Sequence, residues 1–378
     1  MITCTSFPQR NHGRPRRLTR LALSTAVAFA TLTAPAFADP RYALTELPLP
    51  VGYDSSVAHH INDQGYVAGC SSRPNDDGRT ATIWKNGVPS VLGRLKDGTD
   101  SLATAINSKG VVAGEGDDGD YRPLGWVTSG GKIVNFFSNN GGNTHPIAIS
   151  EAGEIGGFYV KGFSNSWIGA IWKVDAKDPR KSVKIDLPLL LGSDPTRASA
   201  ETRGFNKTFE AAGSVSNPDI GQRAAFWKND AAHTLVNLGV FGYDWSSYGS
   251  GLNDFGQVVG SSHPPFGSRP VVWQNDTAHT AYELPLLPGD NVGSAQLINN
   301  EGTIVGSSAY GEPGTWNIGP SKTVVWTAEG VFDLQALVDA TAPGWTLSEI
   351  LDINNPGQIC GHATRNGVTR AIVLTPVR

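Results

Sequence analysis

The chain has 378 residues, and its 30 Lys and Arg against 34 Asp and Glu give a formal net charge of −4. The hydrophobic share of 39% argues against a disordered chain, and the acidic balance argues against a nucleic-acid-binding protein. Charged residues make up only 17%, whereas Gly, Pro and Trp are abundant. This composition favours β-structure with many turns.

Residues 1–38 have the features of a secretory signal peptide. Five arginines within residues 10–20 precede an apolar run at 21–33, which is too short to span a bilayer as a helix. Ala36 and Ala38 then provide a small-x-small cleavage site. We expect a mature chain of residues 39–378 that is secreted or periplasmic and has no membrane span. A retained membrane anchor is the alternative.

One nine-residue pattern recurs along the mature chain. Its template is residues 61–69 (INDQGYVAG), in which an Asn, a turn Gly and a final Gly recur in most copies. The copies lie at 61–69, 106–114, 149–157, 205–213, 252–260, 298–306 and 353–361. Such regular self-similarity indicates a repeat architecture.

Each repeat contains four short runs that are typical of strands. The Asn-x-x-Gly between the first two runs predicts a tight hairpin turn. The final Gly lies inside the second strand and predicts a close approach there, for which we expect the third-strand Trp ring. The third run ends in Trp84, Trp126, Trp172, Trp227, Trp273 or Trp326 in the first six copies. Helical periodicity is absent over any useful length.

Seven four-stranded units predict an all-β fold, a seven-bladed β-propeller of antiparallel blades. The seventh copy ends after its third strand. Residues 45–48 (TELP) resemble the end of a fourth strand, because residues 282–285 (YELP) occupy the same place before their Asn. We therefore expect an N-terminal strand to complete the last blade. A single domain at 39–378 follows, and an open stack of sheets is disfavoured.

The repeats resemble the HAF repeat of bacterial extracellular proteins. Residues 252–261 and 298–307 are similar to the first part of that repeat, and 225–227 (AFW) to the second. The resemblance covers residues 42–374. It implies export and propeller-like repeats without a defined reaction. The His of the family motif is replaced in every copy here.

The variable loops at one rim are the expected binding surface. Five of the seven positions that hold His in the family are basic, which predicts an anion site or, alternatively, structural pairs with the next blade. Exposed loop aromatics are expected at Tyr121, Phe163, Trp167, Tyr243, Trp245, Tyr248, Phe266, Tyr310, Trp316 and Trp345. The predicted binding residues are Arg122, Arg223, Arg269, Trp245, Tyr248 and Trp316. The predicted function is a binding module for an extracellular glycan or protein surface.

An enzyme acting on an extracellular polysaccharide, a lyase or glycosidase, is the alternative function. Counting back from the turn Asn places acidic, His and Tyr residues at the mouth of the central channel, with Arg203 and Asp352 further in. The candidate catalytic residues are His145, Tyr248, Glu201, Glu349 and Arg223. A solvated channel mouth is the simpler interpretation.

No cofactor is expected, although two acidic runs, 75–77 (NDD) and 117–120 (DDGD), are possible calcium loops. His59 and His60 are adjacent on a strand, so they are expected to point to opposite faces and not to share a metal ion. Cys70 and Cys360 lie on equivalent strands with the same parity. They are therefore expected to be buried, unpaired thiols with a sheet between them. We expect a monomer.

Overall fold

The computed structural model describes residues 41–119, 123–136, 143–161, 166–190, 192 and 198–377. These residues form an all-β fold with a single short α-helix in the described part. The strands make five four-stranded sheets and one eight-stranded sheet, whose two halves are joined by a single parallel bridge between Ile168 and Ala200. Each four-strand unit is called a blade. The predicted fold class is confirmed, whereas the signal peptide lies outside the described residues.

The strands follow one another in chain order, and each blade contains one copy of the repeat. After β1 (Arg41–Glu46), blades 1 to 3 contain β2 (Ser55–Ile61), β3 (Val67–Ser72), β4 (Arg79–Lys85) and β5 (Val88–Gly93); β6 (Ser101–Ile106), β7 (Val112–Gly116), β8 (Leu124–Ser129) and β9 (Lys132–Asn135); and β10 (Thr144–Ile149), β11 (Ile155–Lys161), β12 (Ser166–Lys173) and β13 (Val183–Asp186). Blades 4 and 5 contain β14 (Ser199–Phe205), β15 (Ala211–Asn217), β16 (Gly221–Trp227) and β17 (Leu235–Gly239); and β18 (Ser246–Leu252), β19 (Val258–His263), β20 (Arg269–Trp273) and β21 (Ala281–Glu283). Blades 6 and 7 contain β22 (Val292–Ile298), β23 (Ile304–Ala309), β24 (Lys322–Thr327) and β25 (Gly330–Asp333); and, after α1 (Leu334–Asp339), β26 (Thr346–Ile353), β27 (Ile359–Arg365) and β28 (Val368–Val377).

The first strand of the described chain belongs to the last blade. β1 pairs antiparallel with β28 along its whole length, so the order in that sheet is β1-β28-β27-β26. A buried apolar cluster joins Ile61 and Trp84 of blade 1 to Cys360 and Val373 of blade 7. This pairing is the one expected from residues 45–48.

The innermost strand of each blade contains a β-bulge three residues before the turn position. In blade 1 the pairing between β2 and β3 shifts at Ala58/His60, which leaves His59 as the extra residue. The other six blades have the same irregularity at the equivalent place. A bulge bends the strand and redirects the side chains around it.

The bulge explains the Gly inside the second strand. A Cβ atom on Gly213 would lie 1.9 Å from the carbonyl oxygen of Glu201, and one on Gly69 would lie 2.0 Å from that of Val57. In all seven copies the nearest atom is the equivalent carbonyl oxygen. The expectation that the Trp ring makes this approach is therefore wrong as a general rule, although the Trp126 ring also crowds Gly114.

The third-strand tryptophans fill the spaces between blades. Trp84, Trp227 and Trp326 are buried, and each indole Nε1 donates a hydrogen bond to a proline carbonyl oxygen, at 2.6–3.0 Å. The acceptors, Pro48, Pro188 and Pro285, follow the fourth strands. The recurring Leu-Pro therefore positions the Trp of the neighbouring blade.

The turn asparagines connect neighbouring blades side by side. In blade 1, Asn62 Oδ1 accepts the backbone N–H groups of Gln64 and Tyr66, while its Nδ2 donates to the carbonyl oxygen of Asn107 in blade 2. The same amide-to-carbonyl link recurs from Asn107, Asn206, Asn253, Asn299 and Asn354, the last of which donates to Asn62. Blade 3 has Ser150 at this position and cannot form the link.

Cys70 and Cys360 are buried and not joined by a disulfide, as predicted. Cys360 packs in the cluster between blades 7 and 1. Burial raises the pKa of the Cys70 thiol to about 11. Both thiols are therefore protonated near neutral pH.

The short helix α1 was not expected from the sequence. Asp333 caps its N-terminus, and Leu334, Leu337 and Val338 are buried. Trp345 packs in the same cluster and is buried, so its predicted exposure is wrong. Among the described residues, no helix has the length and apolar character needed to cross a membrane.

Candidate binding site at the loop rim

The blades have two ends with different structures. The turn rim carries the tight turns between the first and second strands. The loop rim carries the loops between the second and third strands and the links from each fourth strand to the next blade. Exposed aromatic side chains concentrate at the loop rim of blades 5 and 6. We call this set the blade 5–6 aromatic patch: Tyr243, Trp245, Tyr248, Phe266, Tyr310 and Trp316.

Contacts between separate segments bring these rings together. The Phe266 and Trp316 rings lie 5.5 Å apart between centroids and come from the loops of blades 5 and 6. Tyr248 packs edge-on against His263 at 5.1 Å, and the Trp245 N–H donates to the His263 carbonyl oxygen at 2.8 Å. Trp245 and Trp316 are each 67% exposed. The patch therefore places exposed rings of blades 5 and 6 on one rim, with Phe266 and Trp316 in direct contact and Trp245 and Tyr248 both held against His263.

The loop that carries Tyr310 and Trp316 is fixed by its own hydrogen bonds. Asn291 Nδ2 donates to the Gly311 carbonyl oxygen at 2.9 Å, and the Gly311 N–H donates to Asn291 Oδ1 at 2.7 Å. A β-bridge between Gly311 and Ile318 closes the loop. A fixed loop loses little conformational entropy when it binds a ligand.

The predicted basic residues hold parts of this surface in place. Arg223 Nη1 donates to the Trp245 carbonyl oxygen at 2.9 Å. Arg269 Nη1 contacts Glu283 Oε2 at 3.2 Å, and its Nε lies 3.7 Å from the buried Asp244 carboxylate. The Arg223 contact agrees with the alternative of a structural pair with the next blade, whereas Arg269 contacts Glu283 of its own blade and Asp244 in the link that enters it. Arg122 lies outside the described residues.

A second cluster lies at the channel mouth, near blades 2 to 4. His145 Nδ1 lies 2.8 Å from Glu115 Oε2. The His145 ring stacks on Phe158 at 4.8 Å, and Phe158 stacks on Trp167 at 5.1 Å with nearly parallel planes. Glu115 was not predicted as a site residue, because it lies on the second strand, whereas the predicted channel-mouth residues lie on innermost strands.

Glu201 lies beside His145 on the next innermost strand. Its Oε1 is 2.5 Å from Arg203 Nη2. Burial raises the pKa of Glu201, although the charges of Arg203 and His145 oppose that shift. This mouth therefore combines a His–carboxylate pair with a carboxyl group that takes up protons more readily than an exposed one.

The other predicted catalytic residues are distributed around the channel. Tyr248 pairs with Ser261 in blade 5 and Glu349 pairs with His362 in blade 7, at the same register level as His145. Arg223 instead contacts Trp245 on the loop rim. The full predicted set is therefore spread over several blades, and within it the charge of His145 opposes the raised pKa of Glu201.

The channel itself contains a cavity of about 710 Å³ that reaches the turn rim. His59, the bulged residue, and His60 both line it, but their side chains contact different groups: His59 Nε2 lies 3.9 Å from Cys70 Sγ and His60 Nε2 lies 3.6 Å from Asp352 Oδ2. Burial and the Arg79 charge lower the pKa of His59 to about 4. At the turn rim, Lys207 Nζ contacts Asp63 of blade 1 at 2.7 Å.

The acidic runs have other partners in the described chain. Asp76 Oδ2 pairs with Arg94 at 2.9 Å. Asp117 accepts backbone N–H groups from Thr99, Asp100 and Gly119. Over the described ranges, no group of three or more His, Cys, Asp or Glu side chains is arranged to hold a metal ion. Calcium binding at these runs stays a prediction.

Comparisons with known proteins identify the fold. No family model matches the chain. No curated protein matches it. The β-propeller domain of the Trilobed protease from Pyrococcus furiosus is 11% identical, with a TM-score of 0.52 over 86% of this chain and 96% of that chain.

Two further solved structures give the same result. An oligogalacturonate lyase from Vibrio parahaemolyticus is 10% identical, with a TM-score of 0.51 over 88% of this chain and 93% of its own. A prolyl endopeptidase is 10% identical, with a TM-score of 0.55 over 85% of this chain but only 50% of its own length. At these identities the likeness concerns the fold alone: the chain folds as a β-propeller.

Proposed function

We propose that this protein is an exported β-propeller that binds an extracellular glycan through the blade 5–6 aromatic patch. The observation that supports this function most directly is the gathering of exposed rings on three fixed segments. Exposed aromatic groups of this size are costly in water, and several of them on one rim mark an interaction surface. The proposal includes the signal peptide, a HAF-type repeat and a monomeric mature chain.

The chemistry of the patch suits a saccharide. Aromatic faces pack against the C–H faces of sugar rings, while polar neighbours such as Asn291 can bond hydroxyl groups. The nearby cations Arg223 and Arg269 are already engaged by a carbonyl oxygen and by carboxylates. A ligand of the patch therefore needs no strong charge. A protein surface is the alternative ligand to a glycan.

The test is a glycan array followed by titration of the best glycan. A W245A/W316A variant should bind roughly 5- to 30-fold more weakly, because two exposed rings lose their stacking contacts (about 1–2 kcal/mol in total). A W167A variant is the control, since Trp167 lies outside the patch. Equal binding by W245A/W316A and the wild type would contradict the assignment, and binding only to proteins would replace the glycan.

An enzyme acting on a uronate polysaccharide is the second candidate function, supported by His145, Glu115 and Glu201. In a β-elimination, His145 would take the proton next to the uronate carboxylate. The C–O bond to the leaving sugar would break as a C=C bond forms. Glu201, whose pKa is raised by burial, would protonate the departing oxygen.

This second function has a direct assay. Elimination produces an unsaturated uronate that absorbs near ~235 nm, so turnover can be followed on pectin and alginate. We expect H145A and E201Q to lose at least ~100-fold in rate, whereas W245A should affect mainly KM. No absorbance change with either polysaccharide would exclude the elimination.

A further inference from the structure

The turn rim of blade 5 departs from the repeat in one respect. The second residue after the turn Asn is Phe255, and it is 61% exposed. The equivalent residues of the other copies are Gln64, Lys109, Ala152, Thr208, Glu301 and Pro356. Tyr282, on the outermost strand of the same blade, is also exposed. A large aromatic ring at a turn tip serves no packing role.

Phe255 and Tyr282 line the same groove, whose other residues are mostly amides. A hydrogen-bonded chain orients these amides: Asn253 Nδ2 donates to Gln257 Oε1 at 2.8 Å, and Gln257 Nε2 donates to Gln274 Oε1 at 2.7 Å. Because these bonds fix the amide of Gln274, its Nε2 donor is available to a ligand. Within the described chain, Nε2 of Gln274 donates no hydrogen bond.

The remaining lining residues indicate which chemical class of ligand the groove can bind. Asn275 Nδ2 donates to the Phe255 carbonyl oxygen, which leaves Asn275 Oδ1 as an acceptor. Asp276 Oδ1 accepts hydrogen bonds from the backbone N–H groups of Ala278 and Thr280 in its own turn. No Lys, Arg or His lines the groove. Aromatic rings with amide donors and acceptors, and no cation, suit a neutral hydroxyl-rich ligand.

We propose that this groove is a second saccharide-binding site, which makes the protein bivalent. The inference rests on the proposed glycan-binding function of the loop rim. Because the strands of blade 5 have five to seven residues in β18 to β20, the two sites lie roughly 20 Å apart at opposite ends of one blade. A bivalent module of this kind holds two polysaccharide chains together.

The test uses beads coated separately with xylan, pectin, alginate, chitosan and dextran. Protein depletion by the beads measures binding, and bead agglutination measures bivalency. We expect the wild type to agglutinate at least one type of bead. The F255A/Y282A variant should still bind those beads but fail to agglutinate them, as should W245A/W316A. The combined fourfold variant should lose both properties. V88S removes an exposed turn-rim side chain outside the groove and should behave as wild type.

The outcomes separate this inference from the proposed function. Agglutination by F255A/Y282A equal to that of the wild type would overturn the second site. If W245A/W316A alone then lost all binding, the loop-rim function would stand. Wild-type protein that binds no bead would overturn both. Circular dichroism of each variant checks folding, and the exposure of both replaced turn-rim side chains makes unfolding no explanation for lost agglutination.

Discussion

At the residue scale, the turn Asn has two structural roles. Its Oδ1 closes the turn on its own backbone, and its Nδ2 bonds the next blade, as Asn253 does with Asn299 at 3.3 Å. The first role is readable from the sequence, because Asn-x-x-Gly between apolar runs is a turn signal. The second depends on how blades lie side by side, which a single repeat cannot reveal.

Ser150 interrupts this set of links, so it offers a direct test. Its Oγ accepts the Glu154 N–H at 2.9 Å, but a hydroxyl cannot reach the carbonyl oxygen of Asn206 as an amide would. We expect Ser150→Asn to raise the free energy of unfolding by about 1 kcal/mol, one net hydrogen bond. Urea denaturation measures this change.

Ser150→Ala provides the matched control for that variant. It removes the turn-closing Oγ without adding an amide, and it should lower the free energy of unfolding by about 1 kcal/mol. If Ser150→Asn were no more stable than the wild type, the amide link would contribute nothing between blades 3 and 4. The polar connections there would then be the Trp227–Pro188 and Thr202–Gly157 hydrogen bonds and the parallel bridge between Ile168 and Ala200.

At the element scale, the repeat predicted the strands well but not their irregularities. The four runs per repeat correspond to the four strands of a blade. Strict alternation was assumed for His59 and His60, whereas the bulge at His59 interrupts that alternation. The Gly of the second strand is the sequence signal of that bulge, because only Gly tolerates the displaced carbonyl oxygen.

The residues of the candidate site were also predicted only in part from the sequence. Trp245, Tyr248 and Trp316 were predicted from their position in variable loops, and all three are exposed. Glu115 was missed because its contact with His145 crosses from one blade to the next. Contacts between blades depend on three-dimensional placement, so neither spacing nor residue type reports them.

The bulged His59 predicts a pH dependence of stability. Its folded pKa of about 4 lies below the ordinary 6.5, so the unfolded chain binds a proton more readily. Stability is therefore complete above pH 6.5 and falls as the pH decreases towards 4, by about 3 kcal/mol for this group. Urea denaturation of the wild type and His59→Gln at pH 7 and pH 4 measures the difference.

The comparison of the wild type with His59→Gln isolates the contribution of His59 to the pH dependence of stability. Carboxyl groups such as Glu201 and Asp352, whose pKa values are raised by burial, contribute with the opposite sign in both proteins. His59→Gln should therefore lose less stability on acidification than the wild type. His279→Asn, a change in an exposed turn between β20 and β21, serves as the control and should retain the wild-type slope. Identical slopes in all three proteins would contradict the assignment.

At the scale of the whole molecule, blade 7 depends on both ends of the described chain. Besides the β1–β28 pairing, Arg370 contacts Glu46 at 3.0 Å, and Asn354 Nδ2 donates to the Asn62 carbonyl oxygen at 2.9 Å. Tyr42 is buried against this blade, with exposure of only 3%. These contacts join residues about 290 to 330 positions apart in the chain. Blade 7 is therefore complete only when the N-terminal strand is in place.

Removing that strand gives the strongest test of this dependence. Deletion of residues 39–54 from a protein expressed as residues 39–378 would leave β28 as an open edge and expose the surface that Tyr42 and Leu47 cover. An unpaired edge promotes aggregation, and the loss of two buried side chains costs roughly 5 kcal/mol or more. We expect a large loss of thermal stability and aggregates on size-exclusion chromatography. Deletion of residues 39–40 alone is the control, because it keeps β1.

Adding the missing strand as a separate peptide distinguishes the loss of strand pairing from nonspecific effects of the deletion. A synthetic peptide of residues 39–54 should bind the truncated protein, because the edge of β28 from Ile372 to Val377 presents unpaired backbone acceptors and, except at Pro376, donors in register with β1. Binding should raise the melting temperature in proportion to the logarithm of peptide concentration. A peptide in which Tyr42 and Leu47 are replaced by Ser should bind weakly, because it loses the buried contacts. A truncated protein that melts within a few degrees of the protein of residues 39–378, and does not respond to the peptide, would show that blade 7 is stable without its N-terminal strand.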